Sequence, residues 1–271
     1  MHARSLPLQR LTGALRRRSR TTWHVAWGSA WQVVRLCALA LALALSHQTY
    51  RRPQRTALAV QMVRAALPLL PWFALLAAIV CLVVIRIVLV TAQSYGLSQM
   101  ALGMLVRVLV LELIPLAAAF AVALRVMLPA AATMPLPRGH DGAVRAAALP
   151  LPWLREVFVP RVLAGAFTVL LLAVVTSLLA VVLTYLLAHG FTPFALGRFT
   201  RLVGQIFDPV VSLVFVLKTA ALALAVAVLP LAGALRARHD GAAARAAWGA
   251  MGLFVVVLAI EIASLAGGYL R

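Results

Sequence analysis

Apolar residues gather into five long stretches separated by short basic or polar segments. They run from Leu67 to Ile85 with Arg86 at the far end, from about Gly103 to Leu124 with Glu112 inside, and from Val162 to Ala188 without a charge. The fourth runs from about Asp208 to Leu235 around Lys218, and the fifth from about Ala246 to Leu270 around Glu261. A helix needs about 20 predominantly apolar residues to cross a bilayer core, so the pattern predicts five transmembrane helices. A shorter run, Leu36 to Leu45, falls below that length and is expected on the membrane surface. From Tyr50 to Leu70, Arg51, Arg52, Arg55 and Arg64 interleave with Leu58, Val60, Met62 and Val63, ahead of Pro68 and Pro71. This is the composition of an interfacial helix that lies flat and then bends inward. Trp23, Trp27 and Trp31 recur every four residues behind a basic run, as on a helix held in the headgroup layer.

Composition agrees with this pattern. The chain is 64% hydrophobic and 11% charged, whereas a soluble domain carries about 25% charged residues. The fold class is therefore an all-α membrane protein. A water-soluble enzyme and a disordered chain are excluded, and so is a disulfide framework, since Cys37 and Cys81 are the only cysteines and both lie in apolar runs. Arg16, Arg17 and Arg18 and a long polar stretch come before any apolar run, so no cleaved signal peptide is expected.

The net charge of +19 would suggest a nucleic-acid partner in a soluble protein, but its placement says otherwise. Arginines crowd the segment before the first span, from Arg4 to Arg64. They recur between spans two and three (Arg138, Arg145, Arg155, Arg161) and between spans four and five (Arg236, Arg238, Arg245). The opposite side receives Arg86 and Arg107 at span ends, Arg198 and Arg201 in one loop, and Arg271. Arginine and lysine favour cytoplasmic segments, so the N-terminus is expected in the cytoplasm and the C-terminus across the membrane. Topology thus accounts for most of the charge, and no nucleic-acid partner is expected.

No phosphate-binding G-x-x-x-x-G-K-[ST] loop exists, and Lys218 is the sole lysine. His2, His24, His47, His140, His189 and His239 show no metal-binding spacing, and no nucleophile stands beside a base, so neither a catalytic site nor a metal is expected. What remains are charges inside spans, which are costly in lipid and point to function by default. Lys218 lies ten residues past Asp208 and Glu261 ten before Arg271. At about 1.5 Å per residue both sit about 15 Å deep on antiparallel helices, where they could form a structural ion pair. Arg125 is thirteen residues from Glu112 on the same span, too far to neutralise it. Glu112 must find a partner elsewhere, with Arg86 one candidate, or be protonated. In the inner loop, Asp141 is a plausible N-cap for a short helix, Gly142 to Leu149, stopped by Pro150.

These residues resemble the MlaE-type permeases of ABC lipid transporters that work with MCE proteins. Glu112-Leu113-Ile114-Pro115 resembles the family's E-L-G-P, and Arg125 follows at the family's spacing. Val159-Pro160-Arg161-Val162-Leu163-Ala164 resembles the P-R-V-L-A that opens the third span, and Leu217-Lys218-Thr219 the I-K-[AS] of the fourth. The approach from Arg51-Arg52-Pro53 through Gln61 to Leu70-Pro71 is similar to the family's basic interfacial helix. The family's acidic run in the inner loop is reduced here to Asp141.

The resemblance implies a basic N-terminal segment with interfacial helices over residues 1–66 and a five-span permease domain over 67–270, with a cytoplasmic coupling loop at 128–160. It implies the permease subunit of a phospholipid transporter in the bacterial inner membrane, a homodimer rather than an enzyme. The chain would bind no cofactor; ATP would be hydrolysed on a separate cytosolic ABC ATPase, with a periplasmic MCE-domain protein exchanging lipid. Glu112, Arg125 and Lys218 would address the headgroup, and Asp141, Arg145 and Leu149 would couple to the ATPase. Two rival readings are an ion-coupled carrier or channel using Glu112, Lys218 and Glu261 as a relay, and a degenerate scaffold paired with an active paralogue.

Overall fold

The computed structural model describes residues 34–42, 52–96, 98–135, 150–236 and 242–269. Among these every regular element is helical. We number them α1 (34–42), α2 (Arg52–Ala66), α3 (Leu69–Ser94), α4 (98–132), α5 (Leu151–His189), α6 (Leu196–Ile206), α7 (Pro209–Arg236) and α8 (Ala242–Tyr269). Five of them are long and apolar enough to cross a membrane: α3 with the end of α2, then α4, α5, α7 and α8. We call the end holding the 133–150 connection proximal and the end holding the 190–208 connection distal.

The helices are longer than the apolar runs that announced them. α3 continues eight residues past Arg86, so Arg86 lies within a helix rather than closing it, with its side chain exposed. A long aliphatic stem lets an arginine reach polar surroundings while its backbone stays helical, which is why a charge is a poor marker of a helix end. Residues 128–132 and 151–160, within the expected coupling loop, are helical. Asp141, Arg145 and Leu149, the helix expected at Gly142 to Leu149 and the Trp23, Trp27 and Trp31 stripe all lie outside the described residues.

Among the described residues, three π-helical turns interrupt the α geometry, at Arg107–Leu113 and Ala123–Met127 in α4 and at Leu154–Phe158 in α5. Each ends two residues before a proline: Pro115, Pro129 and Pro160. Proline has no N–H to donate, and its ring crowds the carbonyl four residues back. At each site the residue just before the proline donates to the carbonyl five residues back: Ile114 to Leu109, Leu128 to Ala123 and Val159 to Leu154. The wider turn absorbs the proline without breaking the helix, and it re-aims the side chains beyond it.

Packing divides into two apolar clusters. The larger joins the proximal halves of α4, α5 and α7 with α8, and includes Leu36 and Ala40 of α1. The segment expected on the membrane surface therefore has one face, Leu36 at 4% and Ala40 at 2% exposure, seated in the core. The smaller cluster gathers the distal halves of α3, α4 and α5 with Ile206 and Phe207 at the end of α6. α2 packs along α5 and joins α3 through Leu67 and Pro68, with Pro68 itself in helical geometry. α7 and α8 pack closely: a Cβ on Gly249 would stand 2.9 Å from the Cα of Pro230, a separation only glycine permits.

Candidate functional site

Glu112 lies on α4 where the two clusters adjoin, between Val110 and Ile114 of the smaller and Ala118 of the larger. Lys218 is the first buried residue of α7 along its chain, with its side chain 3% exposed. Its Nζ donates to Glu261 Oε2 of α8 at 2.7 Å and to Glu112 Oε2 of α4. Three helices that share no stretch of sequence are thus tied at one ammonium group. Buried charge of this kind persists only when paired, because desolvating an ion costs several kcal/mol. Thr219 beside it returns its hydroxyl to the Phe215 carbonyl at 2.7 Å and does not join the network.

The local folding of each helix sets this geometry. Glu112 sits in the first π-turn, three residues before Pro115, so the proline that widens the turn also sets the direction of the carboxylate. Lys218 marks where α7 passes from a lipid-sized surface into the packed core. Glu261 lies between Val257, which is buried, and the exposed distal turns of α8.

The cluster is asymmetric. Glu112 keeps a third of its side chain exposed, Glu261 keeps 14%, and the remaining oxygen of Glu261, Oε1, is buried with no hydrogen-bond partner. Two carboxylates therefore face one ammonium, and Glu112 carries the group's open side. Such an arrangement can hold three helices together, and it can present a polar contact to a ligand arriving along Glu112.

Of the residues singled out from the sequence, the structure brings Glu112, Lys218 and Glu261 together and leaves Arg125 apart. Arg125 is exposed on the second π-turn, about 20 Å of helix rise toward the proximal end. Glu112 meets Lys218 rather than Arg86, which is exposed on α3. Depth could have located this contact. Glu112 lies twelve residues into the span that begins at Met100, about 18 Å, close to the depth of the other two charges. Among the described residues no group of histidines, cysteines or carboxylates could hold a metal ion.

The sequence profile of the family described as Permease MlaE matches residues 58–266, most of the chain and all five spans. The chain belongs to the MlaE permease family. It is therefore a multi-pass membrane permease subunit of an ABC-type transporter, a transport subunit that works with partner subunits rather than an enzyme. Among curated proteins and solved structures, none matches this MlaE permease. The matched range starts at Leu58 and so takes in the second half of α2, leaving the basic segment before it outside.

Proposed function

We propose that this permease moves a phospholipid between the bacterial inner membrane and a periplasmic MCE-domain carrier, as a homodimer, powered by ATP hydrolysis on a separate cytosolic ABC subunit. The proximal end is then cytoplasmic and the distal end periplasmic, as the arginine bias favours. The observation that carries this reading is the Glu112–Lys218–Glu261 cluster, a polar group deep within spans of otherwise apolar surface, with Glu112 partly open. An acyl chain suits Val and Leu surfaces, and an ammonium or hydroxyl of a headgroup suits the partly open carboxylate of Glu112. Arg125, nearer the proximal end, supplies a second headgroup contact, and the loop around Asp141, Arg145 and Leu149 meets the ATPase.

The test is lipid transfer between vesicles carrying the reconstituted transporter and its carrier protein. Glu112→Gln is nearly isosteric and keeps one hydrogen bond to Lys218, so it should leave the fold intact and lower ATP-dependent transfer about tenfold, the size of one lost charge-assisted hydrogen bond. Unchanged transfer removes Glu112 from the lipid path. Transfer or ion flux driven by a proton gradient with no ATPase present would instead favour the ion-coupled carrier.

A further inference from the structure

The distal connection between α5 and α7 holds a surface that the transport reading does not use. α5 ends at Gly190, whose φ of 68° is open to glycine and turns the chain sharply. The turn is pinned: Gly190 N–H donates to Leu186 O at 2.9 Å, Thr192 Oγ1 to His189 O at 2.8 Å, and Tyr185 Oη to Thr192 O at 2.5 Å. α6 then folds back on α5, with the Phe199 ring 5.3 Å from Tyr185 and 5.9 Å from His189. Phe199 is buried and Ile206 and Phe207 pack on the distal cluster, so the apolar stripe of α6 is already occupied by the bundle.

Two large apolar side chains are left over. Phe191 is 91% exposed and Phe194 is 99% exposed, held on a fixed turn rather than a loose one, and Leu196 beside them is 53% exposed. Arg198 and Arg201 lie exposed on the next turns of α6. From His189 to Phe207 there is no acidic residue, and the arginines run against the general bias of basic residues toward the other face of the membrane.

We propose that this hairpin is a binding surface for anionic phospholipid headgroups in the distal leaflet, with Phe191 and Phe194 inserted among the acyl chains and Arg198 and Arg201 on the phosphates. Height favours lipid as the occupant. Phe199 fixes α6 at the level of Tyr185 and His189, the last turn of α5, and Asp208 just before α7 is exposed at the same end. That is the border between hydrocarbon and headgroups, where aromatic and arginine side chains together are most favourable. Charge complementarity selects the anionic lipid: each arginine near the surface is worth about fivefold in local enrichment. The surface would hold a reservoir of such lipid beside the distal halves of α4 and α5.

The test uses the full chain with Cys37 and Cys81 replaced by alanine and Phe194→Cys carrying an environment-sensitive fluorophore, in vesicles of phosphatidylcholine and phosphatidylglycerol. The same mixture is prepared twice, with bromine quenchers on one lipid or on the other. Quenching is expected in both, and several-fold more strongly from brominated phosphatidylglycerol. Arg198→Ala with Arg201→Ala should erase that difference while quenching itself persists. Because Phe194 is 99% exposed, labelling there leaves the fold unaltered, and a monodisperse elution profile checks this. A fluorophore unquenched by either lipid overturns the proposal, as does protection appearing only when an extracytoplasmic partner protein is added. Equal quenching by both lipids overturns the headgroup selectivity. None of these readings depends on whether Glu112 contributes to transport.

Discussion

Lys218 divides α7 into two halves that follow different rules. On the proximal side nearly every residue from Leu222 to Leu235 is buried, enclosed by α4, α5 and α8. On the distal side Val210, Leu213, Val214, Val216 and Leu217 are all exposed. Hydrophobicity does not separate the halves, since lipid tails are as apolar as a protein core and exert no drive to bury leucine. Side-chain size does. The proximal half is built on Ala220, Ala221, Ala223, Ala225, Ala227, Ala232, Gly233 and Ala234, whereas the distal half from Pro209 to Leu217 has Ser212 as its small residue. Small residues let backbones approach and gain dispersion contacts; large ones keep neighbours at lipid distance. The ion cluster sits at the seam because packing stops there and a directional contact is needed to hold three helices at one level.

The largest effect should come from the seam itself. Lys218→Met leaves Glu112 and Glu261 facing each other without a cation, which should cost about 3–5 kcal/mol and lower the midpoint of unfolding in a detergent titration. The triple change Lys218→Met, Glu112→Gln, Glu261→Gln removes every charge and should recover most of that loss, as buried pairs exchanged for neutral groups commonly do. If the single variant unfolds no earlier than the parent, the cluster does not bind the helices together.

A smaller effect should distinguish the halves directly. Leu231→Ala in the proximal half removes a side chain that is 0% exposed, and Leu213→Ala in the distal half one that is 67% exposed. The first opens a cavity and should cost about 2 kcal/mol. This is the low end for buried leucine, because part of the usual loss reflects transfer from water that does not apply in lipid. The second should fall within about 0.5 kcal/mol. Equal losses at both sites would mean that the distal half is also covered in the protein as it stands in the membrane, as a second copy of the chain would do.

Much of this was legible in the sequence. Five spans follow from run length, because no polar stretch of comparable length competes with them, and the contact between Lys218 and Glu261 follows from equal depth on antiparallel neighbours. The π-turns were not read, although Pro115, Pro129 and Pro160 mark all three, because a proline within a helix signals a break or kink before it signals a widened turn. Depth puts Lys218 at the level of Glu112, but the two lie 106 positions apart, and which helix faces α4 at that level is set by packing. The seating of Leu36 and Ala40 in the core was hidden for a related reason: a short apolar run has the same composition whether it faces lipid or protein.

A finer division of the bundle runs through α5, which like α4 belongs to both clusters. Ala173 belongs to the proximal cluster and Ala180 to the distal one. Between them, Thr176 is buried and returns its hydroxyl to the Leu172 carbonyl at 2.6 Å, a pattern that Thr168 and Thr184 repeat with Ala164 and Ala180. Ser177 departs from it: the side chain is buried, and Oγ has no partner. A buried hydroxyl without a partner keeps its desolvation cost and gains nothing in return. Ser177→Ala should therefore stabilise the chain slightly, by up to about 1 kcal/mol, while Thr176→Ala should destabilise it, both read from unfolding midpoints under one set of conditions. If Ser177→Ala is instead destabilising and also slows lipid transfer, the hydroxyl has a partner in the working transporter, and the seam carries a polar contact in addition to the ion cluster.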